Sequence, residues 1–465
     1  MLVASPPMSL DPRYLTDAVG VRLSRLAHAG LFGLDPETLE PVPLAAASYA
    51  WEGPLSLRVA LRGDVSFASG APFEAEDVCA TLRALGDPAL ASPHAGLVEA
   101  VGRCEIVSPK EVRLGLVHER ATLLTDLELP VLRRDEAAGP RRPEGGLDGL
   151  GPYAFGRVGE GTVELRARAG GALSRPAHDL NVRVVRDENA RALRLLAGRA
   201  DVVPNGLSAP LLGALEARGA IVRARPGANL TYLLPHHGRV PFRDVRARRA
   251  VSLGVERGRL ARTLFEGRAE PARSFVPPGS WAHPPGLPPL PYDPAEAARL
   301  FAELGRPSAS LLVSSDRARG VQARAIAQML RDAGLAVEVV TLELGALLQR
   351  LTAGDFELAL LQMPEITEPQ LMQWFFHSGS IPGEGVGANR ARYRNAAVDD
   401  RLERASRSTD REARRGLLRE ALGLMGDDLP VVPLFHEDQV VALSPRAASF
   451  VPSAEGRWLG LASLP

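Results

Sequence analysis

The stretch Ser308–Met363, SASLLVSSDRARGVQARAIAQMLRDAGLAVEVVTLELGALLQRLTAGDFELALLQM, determines the fold class of this chain. Short apolar runs of strand length alternate in it with longer amphipathic runs of helix length. The pattern predicts strands at 309–315, 336–342 and 356–363, with helices at 320–333 and 344–353. Strands joined through helices lie parallel in one sheet, with the helices on its faces. The sequence therefore predicts an α/β protein.

The segment after the third predicted strand, PEITEP (364–369), carries two glutamates, Glu365 and Glu368. Ligands of open parallel sheets bind beyond the carboxyl ends of the strands, so this segment is expected at a ligand-facing edge. A glycosidase also needs two carboxylates, but they normally face each other from separate strand ends. No G-x-S-x-G elbow with a matching histidine is found. The pattern favours a binding protein over an enzyme.

The composition is that of a globular chain whose positive and negative charges balance. The length of 465 residues suggests about three domains of ~150 residues. Lys+Arg and Asp+Glu both total 55, so nothing attracts nucleic acid electrostatically. No run of about 18 apolar residues is present. The N-terminal MLVASPPMSLDPRY lacks a signal-peptide pattern, so we expect that the chain is either cytosolic or exported by a signal that has been removed or left out.

The two cysteines lie in different patterns, Cys79 in the helix-like EAEDVCATLRAL and Cys104 in the strand-like RCEIVS. We expect two partly buried thiols, with a disulfide as the alternative. No cysteine or histidine spacing typical of a metal site occurs, so neither a metal nor a cofactor is expected.

Two stretches are predicted to be connections. Residues 133–153 are rich in glycine, proline and charge, which suits a passage between domains. Residues 281–294 form a proline-dense loop, after which Asp293 is expected to cap a helix that begins at Pro294.

Several blocks follow one another along nearly the whole chain, the most specific being LRGDVSFASGAPFEAEDVCATL at Leu61–Leu82. Others are GLGPYAF, DENARALRLLAGRADVV, PFRDVRARRAVSLGVERGRL, YDPAEAARLFAELG and DLPVVPLF. In this order they resemble the extracytoplasmic solute-binding proteins of ABC importers, the oligopeptide-, dipeptide- and nickel-binding family.

The resemblance implies an α/β, two-lobed periplasmic-binding-protein fold of type II, with an extra domain and a ligand cleft between lobes joined by a hinge. It implies lobe I at 1–40, 150–228 and 441–465, the extra domain at 41–149, and lobe II at 229–440.

The implied function is capture of a small solute, above all a short peptide, by closure of the cleft. The expected partners are that ligand and the ABC permease subunits at the membrane. The protein is expected to be a monomer in the periplasm or at the cell surface that binds no nucleic acid. The alternative is a peptide- or solute-sensing protein with the same fold and no transport role.

In peptide-binding relatives the segment that corresponds to residues 362–369 reads W-x-x-D-x-x-D/E-P, and its first acid pairs with the peptide's α-ammonium. Here Gln362 stands at the tryptophan position and Glu365 at the first acid. We expect Glu365 to pair with a ligand's cationic end, or to be a loop acid bonded to backbone amides. Glu368 is expected to be structural, with Thr367 as the N-cap of the next helix.

Further ligand contacts are predicted on the same resemblance. Asn389 matches a cleft-edge asparagine, and Arg390 or Arg392 would meet a ligand carboxylate bidentately. Trp374 and Tyr153, in GLGPYAF, are also candidates, although the helical spacing of Trp374 is typical of a core residue.

His236 and His237 stand where the chain is expected to cross into the second lobe. Neighbouring strand residues point to opposite faces, so the pair is not expected to share a metal. A hinge or surface role is expected, and the alternative is that His236 faces the ligand.

Overall fold

The computed structural model describes residues 1–15, 17–159 and 161–465, and the predicted α/β class is confirmed. The chain forms two units: unit 1 is Met1–Arg225 with Gln439–Pro465, and unit 2 is Pro226–Asp438. The three-part lobe and domain boundaries stay a prediction. Within the described residues, none of the helices combines the length and the apolar character needed to cross a bilayer.

In the residues that the structure describes, unit 1 combines short strands from distant parts of the chain with six α-helices. Its strands are β1 (Leu2–Val3), β2 (Phe32–Leu34), β3 (Pro41–Pro43), β4 (Ala46–Trp51), β5 (Ser56–Leu61), β6 (Val101–Ser108), β7 (Glu111–Leu116), β8 (Tyr153–Gly159), β9 (Thr162–Ala167), β10 (Leu180–Val184), β11 (Val202–Pro204), β12 (Ile221–Arg225) and β19 (Gln439–Leu443). Its helices are α1 (Ala18–Ala27), α2 (Ala75–Gly86), α3 (Ala95–Val98), α4 (Leu123–Asp126), α5 (Glu188–Leu196) and α6 (Ala209–Glu216).

Four sheets order these strands as β1-β10-β9-β8, β11-β19-β12, β2-β3 and β4-β5-β7-β6. The alternating run LSLRVALR supplies β5, whose Leu57, Val59 and Leu61 point into the core that α2 covers. This is the half-buried alternation of an antiparallel strand.

A disulfide joins α2 to β6 in that sheet, between Cys79 and Cys104 with their Cα atoms 5.4 Å apart. The expectation of two thiols is therefore wrong, and the alternative is confirmed. Sequence patterns placed each cysteine in its element but carried no information on the packing of the helix over the strand, which is what brings the sulfurs together.

Unit 2 is built from one continuous segment. Its strands are β13 (Leu230–Pro235), β14 (Ala269–Pro271), β15 (Ser308–Ser314), β16 (Ala336–Leu342), β17 (Leu358–Met363) and β18 (Val432–Glu437). Its helices are α7 (Val245–Gly254), α8 (Arg257–Phe265), α9 (Pro294–Glu303), α10 (Arg317–Asp332), α11 (Leu344–Ala353), α12 (Leu371–Phe376), α13 (Ala396–Arg407) and α14 (Arg411–Asp428).

All six strands form one sheet in the order β14-β18-β13-β17-β15-β16. β15 runs parallel to both β16 and β17, which confirms the predicted βαβαβ unit. Helix α10 begins three residues earlier than predicted, because the Asp316 carboxylate caps it by accepting a hydrogen bond from the Arg319 N at 2.9 Å. Asp293 caps α9 as predicted.

Alternate residues of these strands feed two cores on opposite faces. Leu358 and Leu360 of β17 pack with α7, α9 and α10 on one face, while Ala359 packs with α11, α13 and α14 on the other. Helices cover both faces of the sheet, so its strands are accessible at their ends. We call these two ends the carboxyl edge and the amino edge, after the direction of β17.

Candidate functional site

The segment 364–369 follows the last residue of β17, Met363, at the carboxyl edge of the parallel strands, as predicted. Its backbone is tied to the first residues of unit 2, since the Ile366 N donates to the Ala228 O at 2.6 Å. Next to that bond, Leu230 of β13 pairs with Met363. Glu365 is partly buried between these two ties, so its position at this edge is well defined.

Glu368 has a structural role. Its carboxylate accepts hydrogen bonds from the Arg414 Nη2 at 2.6 Å and from the Gln370 N at 3.0 Å. Arg414 is 7% exposed, and its guanidinium carbon lies 5.1 Å from the centroid of the Trp281 ring. Glu368 is thus the counter-charge of a buried arginine, and the two glutamates differ in their surroundings.

The prediction of Thr367 as a helix N-cap is wrong. Helix α12 begins at Leu371 with Gln370 as its N-cap, because a turn comes first in which the Leu371 N donates to the Glu368 O at 3.0 Å. The first N–H groups of α12 donate to the backbone carbonyls of this turn, so among the described residues no side chain caps the helix.

Gln362 lies on β17 directly opposite Thr231 of β13. The Thr231 Oγ1 donates to the Glu437 Oε1 at 2.6 Å. The Arg319 Nη1 donates to the Thr231 Oγ1 at 3.1 Å, to the Gln322 Oε1 at 2.9 Å and to the Glu437 carboxylate. Sequence analysis did not predict a role for Arg319 or Glu437. The signal that could have identified Arg319 is its position in the first turn of α10, directly after the parallel strand β15.

His236 lies at the opposite end of the sheet. It follows β13, and its N donates to the Glu357 O at 2.9 Å, just before β17 begins. The ring packs edge-on against Phe356 at 5.1 Å and is only 6% exposed. Burial and, secondarily, Arg239 lower the pKa of His236 to about 4.

A surface or hinge role for His236 is therefore wrong, because the chain enters unit 2 at Pro226 and His236 is buried. His237 packs separately against Tyr393, with ring centroids 5.4 Å apart, so the two histidines point to different neighbours as expected. A contact of His236 with ligand stays a prediction.

Arg390 and Arg392 also lie near this amino edge, since the intervening Ala391 O accepts from the His237 N at 2.9 Å. The Arg390 Nε donates to the Thr352 Oγ1 at 3.2 Å, and Arg392 donates to the Pro382 O at 3.0 Å and the Thr352 O at 3.1 Å. Burial lowers the pKa of Arg390. The backbone tie through Ala391 thus lies at the amino end of β17, whereas Glu365 follows the carboxyl end of this strand of six residues, roughly 17 Å long.

Asn389 is fully buried and its amide is used within unit 2. The Nδ2 donates to the carbonyls of Phe376, His377 and Tyr393, and the Oδ1 accepts from the Tyr393 N at 3.0 Å. A ligand contact there would have to compete with these bonds. Trp374 is 46% exposed on α12, so the expectation of a core residue is wrong and the ring remains available as a binding platform.

Tyr153 belongs to unit 1, where it begins β8. It is buried, its hydroxyl donates to the Leu461 O at 3.4 Å, and burial raises its pKa to about 12. The predicted contacts thus fall into four groups: Gln362 and Glu365 at the carboxyl edge, His236 and the arginines near the amino edge, Trp374 and Asn389 at α12, and Tyr153 in unit 1. In the part of the chain that the structure describes, no group of three or more His, Cys, Asp or Glu side chains could hold a metal ion.

Comparisons with known proteins agree over most of the chain. The sequence model of the family described as "Bacterial extracellular solute-binding proteins, family 5 Middle" matches residues 40–382. Glutathione-binding protein GsiB of Escherichia coli O1:K1 is 26% identical over 478 residues, covering 96% of this chain and 90% of that protein.

Two further matches broaden the comparison. Di/tripeptide-binding protein 2 of Pseudomonas aeruginosa is 26% identical over 479 residues, covering 92% of this chain and 88% of that protein. The structure of NikA from Brucella suis in complex with Fe(III)-EDTA is 20% identical with a TM-score of 0.89, covering 100% of this chain and 99% of that one.

Proposed function

Since this chain belongs to the bacterial extracellular solute-binding proteins of family 5, we propose that it captures a short peptide and hands it to the permease of an ABC importer. The family resemblance and the solute-binding function predicted from the sequence are thereby confirmed. The peptide cargo, the residues that hold it and the permease are the proposal.

The observation that carries the proposal is the position of Glu365 at the carboxyl edge of the parallel strands, where open sheets bind ligands. An ammonium group taken into a water-poor site must be paired, because an uncompensated buried charge costs several kcal/mol. Glu368 forms an ion pair with Arg414, and we assign the α-ammonium of the peptide to Glu365 because of its position at this edge.

Two relatives support the peptide class, since one is named for glutathione and the other for di- and tripeptides. The NikA complex with Fe(III)-EDTA makes metal chelates the class to test against. We propose tripeptides as the first cargo to examine.

The Cys79–Cys104 disulfide supports an extracytoplasmic location, periplasmic or at the cell surface, because disulfides persist in oxidising compartments. We propose that the protein acts there as a monomer whose partners are the peptide and the permease subunits.

Glu365→Gln tests the assignment, with affinities for Ala-Ala-Ala measured by isothermal titration calorimetry. We expect a loss of about 30-fold or more, because truncating one partner of a desolvated charge pair costs about 2 kcal/mol or more. The N-acetylated peptide, which has no ammonium, should bind the native protein and the variant equally weakly.

Glu384→Gln is the matched control, because Glu384 is an exposed glutamate of unit 2 paired with Arg394 and should leave the affinity unchanged. Equal losses for the free and acetylated peptides would contradict the role of Glu365. A midpoint of thermal unfolding that rises with Fe(III)-EDTA and not with any tripeptide would contradict the peptide class.

A further inference from the structure

Four polar side chains occupy the carboxyl edge of the unit 2 sheet on one face. Residues of β17 alternate between the two cores, with Leu358 and Leu360 on the α10 face, and this alternation puts Gln362 on the same face. The same reasoning on β13 puts Thr231 there, in register with Gln362. Together with Arg319 and Glu437 they form what we call the polar cluster.

The charges within the polar cluster are balanced. The Arg319 and Glu437 side chains are 17% and 18% exposed and form an ion pair, and Thr231 bonds to both. Asn229 holds Glu437 in place, because its Nδ2 donates to the Glu437 O at 2.6 Å and its Oδ1 accepts from the Glu437 N at 2.8 Å. The pair is therefore a fixed, neutral, polar wall.

Gln362 completes that wall with an amide whose hydrogen-bonding capacity is not used internally. The side chain is partly buried, and among the described residues it makes no hydrogen bond. An amide offers two donors and two acceptor lone pairs. Covering it with an apolar group would leave those groups unsatisfied, which is costly.

We propose that the polar cluster is the side-chain subsite of the peptide site and selects a neutral hydrogen-bonding side chain, such as that of glutamine or asparagine, at one of the first two residues. This inference rests on the proposed function. Gln362 precedes Glu365 by three residues, at most about 10 Å of chain. A peptide whose ammonium is held at Glu365 would bring its first or second side chain within that distance.

The chemistry of the subsite excludes the other side-chain classes. An aromatic or aliphatic side chain would desolvate the Gln362 amide and the edge of the ion pair without replacing their bonds to water. A charged side chain would find no unpaired opposite charge in the Arg319–Glu437 pair. A carboxamide can donate to an acceptor and accept from a donor of the cluster at once.

The test compares tripeptides of equal length by isothermal titration calorimetry: Ala-Ala-Ala, Gln-Ala-Ala, Phe-Ala-Ala, Ala-Gln-Ala and Ala-Phe-Ala. For at least one of the two positions, we expect the glutamine peptide to bind the native protein about tenfold or more tighter than the phenylalanine peptide. In Gln362→Leu, which keeps the size and removes the amide, that ratio should fall below about threefold. Circular dichroism checks that the variant is folded.

Gln328→Leu, at an exposed glutamine of α10 bonded to Asp332, is the control and should keep the native preference. Native protein that binds Ala-Ala-Ala but shows no preference at either position overturns the subsite and leaves the proposed function standing. A preference that Gln362→Leu retains also overturns it. No binding of any tripeptide overturns both.

Discussion

The two units of this protein are made in opposite ways. Unit 2 is one continuous segment with a single six-stranded sheet, whereas unit 1 joins two segments and carries four smaller sheets. In unit 2 the parallel strands follow one another closely along the chain, while in unit 1 Leu2 pairs with Arg183 and Val202 with Leu443. Local alternation is readable in a sequence, but pairing between distant strands has no local signal.

The predicted site follows the same division. Apart from Tyr153, every predicted ligand contact lies in unit 2. Histidines whose pKa burial lowers occur in both units: His236, His237 and His436 in unit 2, and His28 and His94 in unit 1. Unit 1 also carries the disulfide. The two units should therefore respond differently to reduction and to substitution.

Acid should have the largest effect and should act on both units, because burial lowers the pKa of His28 and His94 in unit 1 as well as that of three histidines in unit 2. Burial lowers the pKa of His236 and His436 to about 4 and that of His237 to about 3, all below the ordinary value near 6.5. Between pH 6.5 and 4 the unfolded chain therefore binds more protons, so stability falls as the pH falls. From pH 7 to 4.5 the three histidines of unit 2 together should cost about 7 kcal/mol.

This loss is measured as the unfolding free energy of each unit in urea at several pH values. Hydrogen exchange in peptides from each unit reports the unfolding. His436→Leu should reduce the slope of the unfolding free energy of unit 2 by up to about 1.4 kcal/mol per pH unit. His118→Leu, at an exposed histidine of unit 1, is the control and should leave the slope unchanged. Equal slopes in the native protein and His436→Leu would contradict the assignment.

Removal of the disulfide should act on unit 1 and spare unit 2. Replacing Cys79 and Cys104 by alanine frees a loop with a sequence separation of 25, which should lower the unfolding free energy of unit 1 by about 3 kcal/mol. Hydrogen exchange in β5 and β7 should speed up, while exchange in β15 and β17 should not change. Faster exchange in both units would show that they unfold together and would break the comparison.

Arg390→Gln should have the smallest effect, on affinity alone. A tripeptide held at Glu365 spans about 10 Å, which does not reach the amino edge of β17 roughly 17 Å away. We expect its affinity to change less than about twofold, measured beside the Glu365→Gln variant. A tenfold loss with the tripeptide would mean that ligand contacts reach the amino edge; a loss seen only with a hexapeptide would extend the site along the strands.

Sequence patterns predicted the βαβαβ unit, its carboxyl edge and the Asp293 cap, because each depends on residues close together in the chain. They failed for Thr367, because a turn precedes α12 and its backbone carbonyls accept from the first N–H groups of the helix, which begins at Leu371. They failed for Trp374, because helical spacing does not tell which face of a short helix is covered.

The sequence by itself determined the α/β class, the family and the placement of Glu365 after a parallel strand, since these rest on periodicity and on ordered blocks of residues. Only the tertiary structure decided that Cys79 meets Cys104, that Glu368 belongs to Arg414, and that Arg319 and Glu437 stand beside Gln362. Each of these contacts joins elements distant in the chain, and their charges and sulfurs are brought together by packing of the cores, which no local pattern records.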